Sequence, residues 1–207
     1  MIYPIRLFGD PILRSKSRTI TDLNTPVQVP GFQPVRLEKL AENMFDSMFE
    51  ARGVGLAAPQ IGLPIRMFVM AEYEDEEEEE THEGEKKPLR SRVKAQHVFI
   101  NPTLTVLNKK KDRSYTEGCL SIPGVYEEGV PRWRQLNIQY QDLSGKMHSE
   151  DAEDYLARVM QHEHDHLEGK LFLDHLPPDI SDEYRKDLAA MHRKARAYLK
   201  FLKERGE

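Results

Sequence analysis

The sequence has a single cysteine among its 207 residues, so no internal disulfide can stabilise the fold. It also lacks an apolar run of about 20 residues, the length that a membrane-spanning helix requires. The first ten residues, MIYPIRLFGD, have no apolar stretch preceded by positive charge, so a secretory signal is not expected. A formal net charge of −5 gives no reason to expect DNA binding. We therefore expect a cytoplasmic protein with neither a membrane nor DNA as partner.

The length of the chain is suited to one domain with a sizeable core, and we expect residues 1–207 to form that domain. Residues 72–92 are acidic in their first half and basic in their second, which is typical of a solvated loop inserted between strands. Residues 181–203 have apolar residues at helical spacing with lysines and arginines between them. This pattern predicts a basic amphipathic C-terminal helix with Ser181 as its N-cap.

The segment His162-Glu163-His164-Asp165-His166 has the pattern H-E-x-x-H within a predicted helix. Histidines four residues apart project from the same face of a helix and can bind one metal ion together. The glutamate beside the first histidine is then placed to take a proton from a water at that metal. His164 points away from this face, and Asp165 is a candidate partner for a ligand histidine or for Arg132. The pattern predicts a metal hydrolase but supplies only two ligands.

A third ligand is available in the segment Glu117-Gly118-Cys119-Leu120-Ser121. A lone cysteine is more often a small buried apolar residue than a ligand. Together with two imidazoles, however, a thiolate completes a Cys-His-His site that leaves a fourth position open. We therefore predict Cys119, His162 and His166 as the ligands of one divalent metal ion.

A third motif, Gly53-Val54-Gly55-Leu56-Ala57-Ala58-Pro59-Gln60-Ile61-Gly62, follows a predicted helix over 35–52. The combination of GxGLAAPQIG, EGCLS and QHExDH, in this order, resembles the peptide deformylases over most of the chain. The resemblance implies removal of the formyl group from the N-terminal formyl-methionine of newly synthesised polypeptides. It also implies Fe²⁺ as the metal in cells. The spacing of the ligands does not distinguish Fe²⁺ from Zn²⁺, Ni²⁺ or Co²⁺.

The chemistry implied by the resemblance assigns roles to three further groups. Glu163 would act as the general base and return its proton to the leaving amine. The backbone N–H of Leu120 and the side-chain amide of Gln60 would stabilise the oxyanion. Formyl-methionyl nascent peptides are the expected partners. The basic C-terminal helix would either contact the ribosome or pack by its apolar residues and leave its basic face in water.

Substrate binding is predicted at the glycine-rich motif and on the helix that carries the histidines. The backbone of Val54 and Gly55 would pair with the peptide as an added strand would. Tyr155 and Val159 lie seven and three positions before His162 and, with Val54, would line a pocket for the methionine side chain. Arg158 shares this face, and we expect its charge to remain in water at the rim. The alternative is that these residues make ordinary core contacts.

The strand pattern completes the predicted fold. Strands are expected over 65–71, 97–101, 103–107, 133–142 and 147–150, with Pro102 as a break. A helix that begins at an N-cap, Asp151, and ends at Gly169 would carry the histidines. This order predicts an α+β fold with antiparallel β-sheets packed around a central metal-binding helix and an additional C-terminal helix.

Two other functions share parts of this evidence. A zinc endopeptidase would also have H-E-x-x-H, but the cysteine segment is not typical of that class. A catalytically silent module that binds metal or the ribosome would not require Glu163 and Gln60, both of which are present.

Overall fold

The structure, a computed structural model, describes residues 1–74 and 89–206. The helices are α1 (Leu37–Glu50), α2 (Asp154–Leu167), α3 (Pro178–Glu183) and α4 (Arg185–Glu204). The strands are β1 (Gly55–Ala57), β2 (Met67–Tyr73), β3 (Val93–Asp112), β4 (Glu117–Cys119), β5 (Ile122–Glu127), β6 (Arg132–Gln141) and β7 (Met147–Glu153). None of the helices in the described ranges is long and apolar enough to cross a membrane.

Two antiparallel sheets form the β-structure. Five strands make the larger sheet in the order β1-β2-β3-β6-β7, and β4 pairs with β5 in the smaller one. Helix α2 packs on the larger sheet through apolar residues such as Ala157, Met160 and Leu167, which cluster with Phe68 and Phe99 of the strands. Burial of each large apolar side chain contributes about 1.5–3 kcal/mol. The predicted α+β fold, with antiparallel sheets around this helix and a further C-terminal helix, is confirmed.

Strand β3 continues through the proline at which a break was predicted. Asn101 has a left-handed backbone, with φ of 51°, and the pairing register with β6 shifts between Ile100 and Thr103. A bulge of this kind accommodates a residue that has no N–H to donate. The side chain of Asn101 also bonds to both backbone groups of Ile20, at 2.9 and 2.8 Å. The bulge therefore also fastens the N-terminal segment to the sheet.

The start of α2 was predicted two residues too early, since the observed N-cap is Glu153. Asp151 is not its N-cap, because β7 continues to Glu153 in register with β6 and α2 begins at Asp154. Strand β6 therefore sets the position of the metal-binding helix through β7. Of the loop predicted over 72–92, residues 75–88 lie outside the described residues; Glu72 and Tyr73 end β2, and residues 89–92 form a short 3-10 turn before β3.

The C-terminal segment contains two helices where the sequence predicted one. Ser181 is not an N-cap: it lies inside α3, which has proline at its first position, and α4 begins only at Arg185. Met191, Ala195 and Leu202 of α4 are buried, as the apolar spacing predicted. Helix α4 lies close against the N-terminal segment, since a Cβ at Gly9 would lie 2.1 Å from a ring carbon of His192.

Candidate active site

The three predicted metal ligands are brought together by α2 and β4. His162 and His166 lie one turn apart on α2, and Cys119 is the last residue of β4. One ligand atom from each of the three residues lies within 4.8 Å of the others, and all three residues are buried. Sγ of Cys119 is 3.4 Å from Nε2 of His166. These distances are short enough for one ion to be bound by all three.

One buried polar atom beside this cluster indicates that the cluster is incomplete without a bound group. Oε2 of Glu163 has no hydrogen-bond partner among the described residues. Buried polar groups without a partner are rare, and they concentrate at catalytic sites and at ion sites. A thiolate with two imidazoles is also a donor set that divalent transition metals prefer. The residues therefore fit a metal ion.

Glu117 orients the first histidine. Its Oε1 accepts a hydrogen bond from Nδ1 of His162 at 2.7 Å, which leaves Nε2 of that ring to face the cluster. Nε of Arg132 donates to Oε2 of the same carboxylate at 3.1 Å. Burial alone would raise the pKa of Glu117, but the hydrogen bonds from His162 and Arg132 lower it below its ordinary value. Glu117 is therefore a buried carboxylate.

Arg158 does not lie at a solvated rim, so that prediction was wrong. Its side chain is only 2% exposed, and Nη1 donates to Oε2 of Glu117 at 2.9 Å. Nη2 donates to the backbone oxygen of Asp112 at 3.1 Å and to its carboxylate at 3.3 Å. These acceptors compensate for the loss of water, since a buried charge is otherwise costly.

Glu163 lies beside the ligands in a very different setting. It is 4% exposed, and burial raises its pKa to about 7. A Cβ at Gly55 would lie only 2.5 Å from Oε1 of this carboxylate. Glycine is therefore required at position 55 for β1 to lie directly against Glu163.

Gln60 directs its amide toward the cysteine ligand. Its Oε1 accepts from the backbone N–H of Ala57 at 2.8 Å, so the two ends of the amide can be assigned. Nε2 then lies 3.7 Å from Sγ of Cys119 and donates to the hydroxyl of Ser121 at 3.2 Å. The orientation leaves a neutral donor beside the ligand cluster.

These groups open onto one cleft of about 430 Å³. Nine of the ten predicted site residues line it: Val54, Gly55, Gln60, Cys119, Leu120, Tyr155, Val159, His162 and Glu163. The tenth, His166, lies behind them and is 1% exposed. The cleft is bounded on one side by β1, which pairs with β2 and occupies the end of the larger sheet.

Comparison with known proteins agrees with this geometry. A family model described as polypeptide deformylase matches residues 2–181. The chain belongs to the polypeptide deformylase family. A peptide deformylase of Thermus thermophilus is 44% identical over 99% of this chain and 100% of its own length. A crystal structure of the peptide deformylase from that organism superposes with a TM-score of 0.78 and 40% identity, covering 94% of this chain and 100% of that one. The Thermotoga maritima structure gives 0.67 and 34%, covering 86% and 99%.

Membership of the deformylase family confirms the activity that the three motifs predicted, a metal-dependent hydrolase that removes the N-terminal formyl group of nascent peptides.

The other two residues of the helix motif lie outside the ligand cluster. His164 is half-buried and lies 3.1 Å from a guanidinium nitrogen of Arg66. Asp165 pairs with Arg132, one of the two partners predicted for it.

Glu117 had no predicted role, although it stands in the deformylase motif EGCLS. Its three side-chain partners are 15, 41 and 45 residues away, too far for any local pattern to relate them. One signal was present: residues two apart in a strand project from the same face, so Glu117 had to lie on the side of Cys119.

Proposed function

We propose that this cleft removes the formyl group of nascent formyl-methionyl peptides with one divalent metal ion held by Cys119, His162 and His166. The observation that carries the proposal is the convergence of these ligand atoms, within 4.8 Å of one another, beside Glu163 with its unpartnered oxygen. A bound ion supplies a Lewis acid that polarises the formyl oxygen and lowers the pKa of water. Fe²⁺ is the ion proposed in cells, and Zn²⁺, Ni²⁺ or Co²⁺ would occupy the same ligands.

Glu163 is proposed as the general base and acid. Its buried carboxylate, with a pKa raised to about 7, can take a proton from the attacking water and give it back to the leaving amine. A carboxylate with its usual low pKa would be a weaker base and a poorer carrier of that proton at neutral pH. The unpartnered Oε2 is the atom available for the transfer.

Gln60 and Leu120 are proposed to stabilise the developing oxyanion. The amide nitrogen of Gln60 is directed at the cysteine side of the cleft, and Leu120 follows the ligand directly in the chain. A positioned neutral donor of this kind typically contributes about 2.7–4 kcal/mol to stabilisation of the transition state. Being neutral, the amide does not compete for the metal.

The substrate is proposed to lie along β1 with its methionine side chain in the cleft. Among the described residues, the edge of β1 that faces away from β2 pairs with no strand of the larger sheet. The backbone oxygen of Val54 accepts from the N–H of Ala71, so an extended peptide would pair with Gly55 and with the N–H of Val54. Tyr155 and Val159 would line the apolar pocket. Tyr155 is 42% exposed, which places it at the entrance, whereas Val159 is buried deeper.

The activity is tested by measuring formate released from formyl-Met-Ala-Ser by protein purified and metal-loaded without oxygen. Anaerobic handling matters because a thiolate next to Fe²⁺ is prone to oxidation. We expect formate from the formyl peptide and no cleavage of acetyl-Met-Ala-Ser. Metal-replete protein that releases no formate would contradict the proposal, and internal cleavage of the acetylated peptide would indicate an endopeptidase.

We propose that the protein acts at the ribosome in the cytoplasm, with helix α4 as the contact. Residues 1–207 are proposed to form one domain, in which the charged sequence after β2 is an insertion. The buried stripe of α4 fixes this helix to the protein, while Arg193, Lys194, Lys200 and Lys203 remain exposed. Such a cationic face would favour ribosomal RNA. Replacing Lys194, Lys200 and Lys203 by glutamate should abolish co-sedimentation with ribosomes at low salt. Unchanged sedimentation would contradict the contact.

A further inference from the structure

Arg158 connects the helix of the histidine ligands to the strand of the cysteine ligand. It lies one turn before His162 on α2, and its guanidinium reaches β4, where Glu117 stands two residues before Cys119. Glu117 in turn accepts from Nδ1 of His162 at 2.7 Å. The contacts form a closed ring: from Arg158 to Glu117, from Glu117 to His162, and along one turn of α2 back to Arg158.

Arg132 also holds Glu117 in this ring, but Arg132 has other partners as well. Arg132 donates to Glu117, and its Nη1 also donates to Asp165 and lies 3.2 Å from Nε2 of His175. Arg158 adds its own hydrogen bond, with Nη1 on Oε2 of Glu117 at 2.9 Å, the oxygen that also accepts from Nε of Arg132. A carboxylate held by two arginines has little freedom to rotate away from the histidine.

We propose that Arg158 is a positioning residue for the metal site. Arg158 acts through Glu117 to keep His162 and Cys119 placed to bind the same metal ion. The inference rests on the metal ligands of the proposed function. It assigns Arg158 to metal retention, although its place among the pocket residues of α2 would suggest contact with the substrate side chain.

A purely structural role is the alternative, because Arg158 also binds groups outside the site. Nη1 donates to the backbone oxygen of Val130 at 3.1 Å, and Nη2 donates to Asp112. If Arg158 served only to fasten these segments, removing the carboxylate of Asp112 would harm the protein as much as removing that of Glu117. The two side-chain acceptors can therefore be tested separately, while the backbone acceptors at Asp112 and Val130 stay in place.

The experiment measures the rate at which Zn²⁺ is lost from the loaded full-length protein to excess chelator. We expect Arg158→Met and Glu117→Gln each to release zinc at least about tenfold faster than the wild type, as for other partners of metal-binding histidines. The double variant should be no faster than the faster single variant, because both changes interrupt the same ring. Arg158→Lys should lie between, and Asp112→Ala, which removes the carboxylate acceptor, should match the wild type.

Arg134→Met is the matched control, since this exposed arginine pairs with Asp154 and does not contact Glu117. Wild-type zinc release from folded Arg158→Met or Arg158→Lys would overturn the proposal. So would effects that multiply in the double variant, or an acceleration by Asp112→Ala equal to that of Arg158→Lys. If Arg158→Met does not fold, the comparison of Arg158→Lys with Asp112→Ala decides between the two roles. The readout is zinc and not formate, so a protein that holds zinc without deformylating would refute the proposed activity alone.

Discussion

Glu117 and Glu163 are two buried carboxylates beside the same histidine, and their surroundings are opposite. They are 5% and 4% exposed, so burial does not distinguish them. Glu117 accepts hydrogen bonds from His162, Arg132 and Arg158, and the pKa of its carboxyl is lowered. Glu163 has an oxygen without a partner, and its pKa is raised to about 7. Hydrogen-bond donors keep the carboxylate of Glu117 ionised, whereas Glu163 has few such donors and can exchange a proton.

The largest effect should come from the carboxylate with the free oxygen. Glu163→Gln removes the proposed base while keeping its shape, and we expect kcat for formyl-Met-Ala-Ser to fall about 10²–10⁴-fold. Metal content should not change, because Glu163 is not a ligand. Steady-state kinetics with metal analysis on the same sample checks this. Glu168→Gln, at the residue that follows α2 and pairs with Arg66, is the control and should retain normal turnover. Near-full activity of Glu163→Gln would mean that another group is the base.

Displacing the carboxylate of Glu163 without replacing it should cause the next largest loss of activity. The added Cβ of Gly55→Ala would lie 2.5 Å from Oε1 of Glu163, so one of the two must move. A shift of about 1 Å in a catalytic group can cost about 10²-fold in rate. We expect kcat/KM to fall by that order while thermal stability and metal content stay near those of the wild type. A fully active Gly55→Ala protein would show that the position of Glu163 is not critical.

Substitution of Glu117, the carboxylate held by hydrogen bonds, should weaken metal binding more than it slows the chemical step. Glu117→Gln keeps an oxygen for His162 but loses the charge that Arg132 and Arg158 surround, and we expect metal affinity to fall roughly 10–100-fold. Competition with a chelator of known affinity measures this. Glu127→Gln, on the paired position of β5, is the matched control and should bind metal normally. Unaltered affinity of Glu117→Gln would remove the distinction between the two carboxylates.

The smallest loss of activity is expected from a change at Ser121, which holds the proposed oxyanion donor, Gln60, in place. Ser121→Ala removes the hydroxyl that accepts from Gln60 at 3.2 Å, a hydrogen bond with a net value of about 1 kcal/mol. We expect kcat/KM to fall about fivefold with KM for the metal-loaded enzyme nearly constant. Ser149→Ala, an exposed serine that bonds to Asn137, should have no effect. A decrease shared by both serine variants would indicate a general loss of stability.

The sequence contained the parts of the site but not the contacts that hold them. The spacing of His162 and His166 follows from helical geometry, and the need for a third ligand singled out Cys119, the one cysteine of the sequence. The motif resemblance then supplied Gln60. The burial of Arg158 could not be predicted, because an arginine on an apolar helix face normally extends to water. Its burial depends on acceptors from β4, from the end of β3 and from Val130, which are distant in the sequence. Pro102 was misread for a similar reason, since the bulge that accommodates it depends on pairing with β6.

The separation of roles between the two carboxylates is tested most directly by measuring formate release as a function of added metal. Glu117→Gln should regain most of the wild-type kcat once the metal concentration exceeds its weakened dissociation constant. Glu163→Gln should remain inactive at every metal concentration although its site is filled. The account would be contradicted if metal restored Glu163→Gln, or if Glu117→Gln stayed inactive with its site fully loaded.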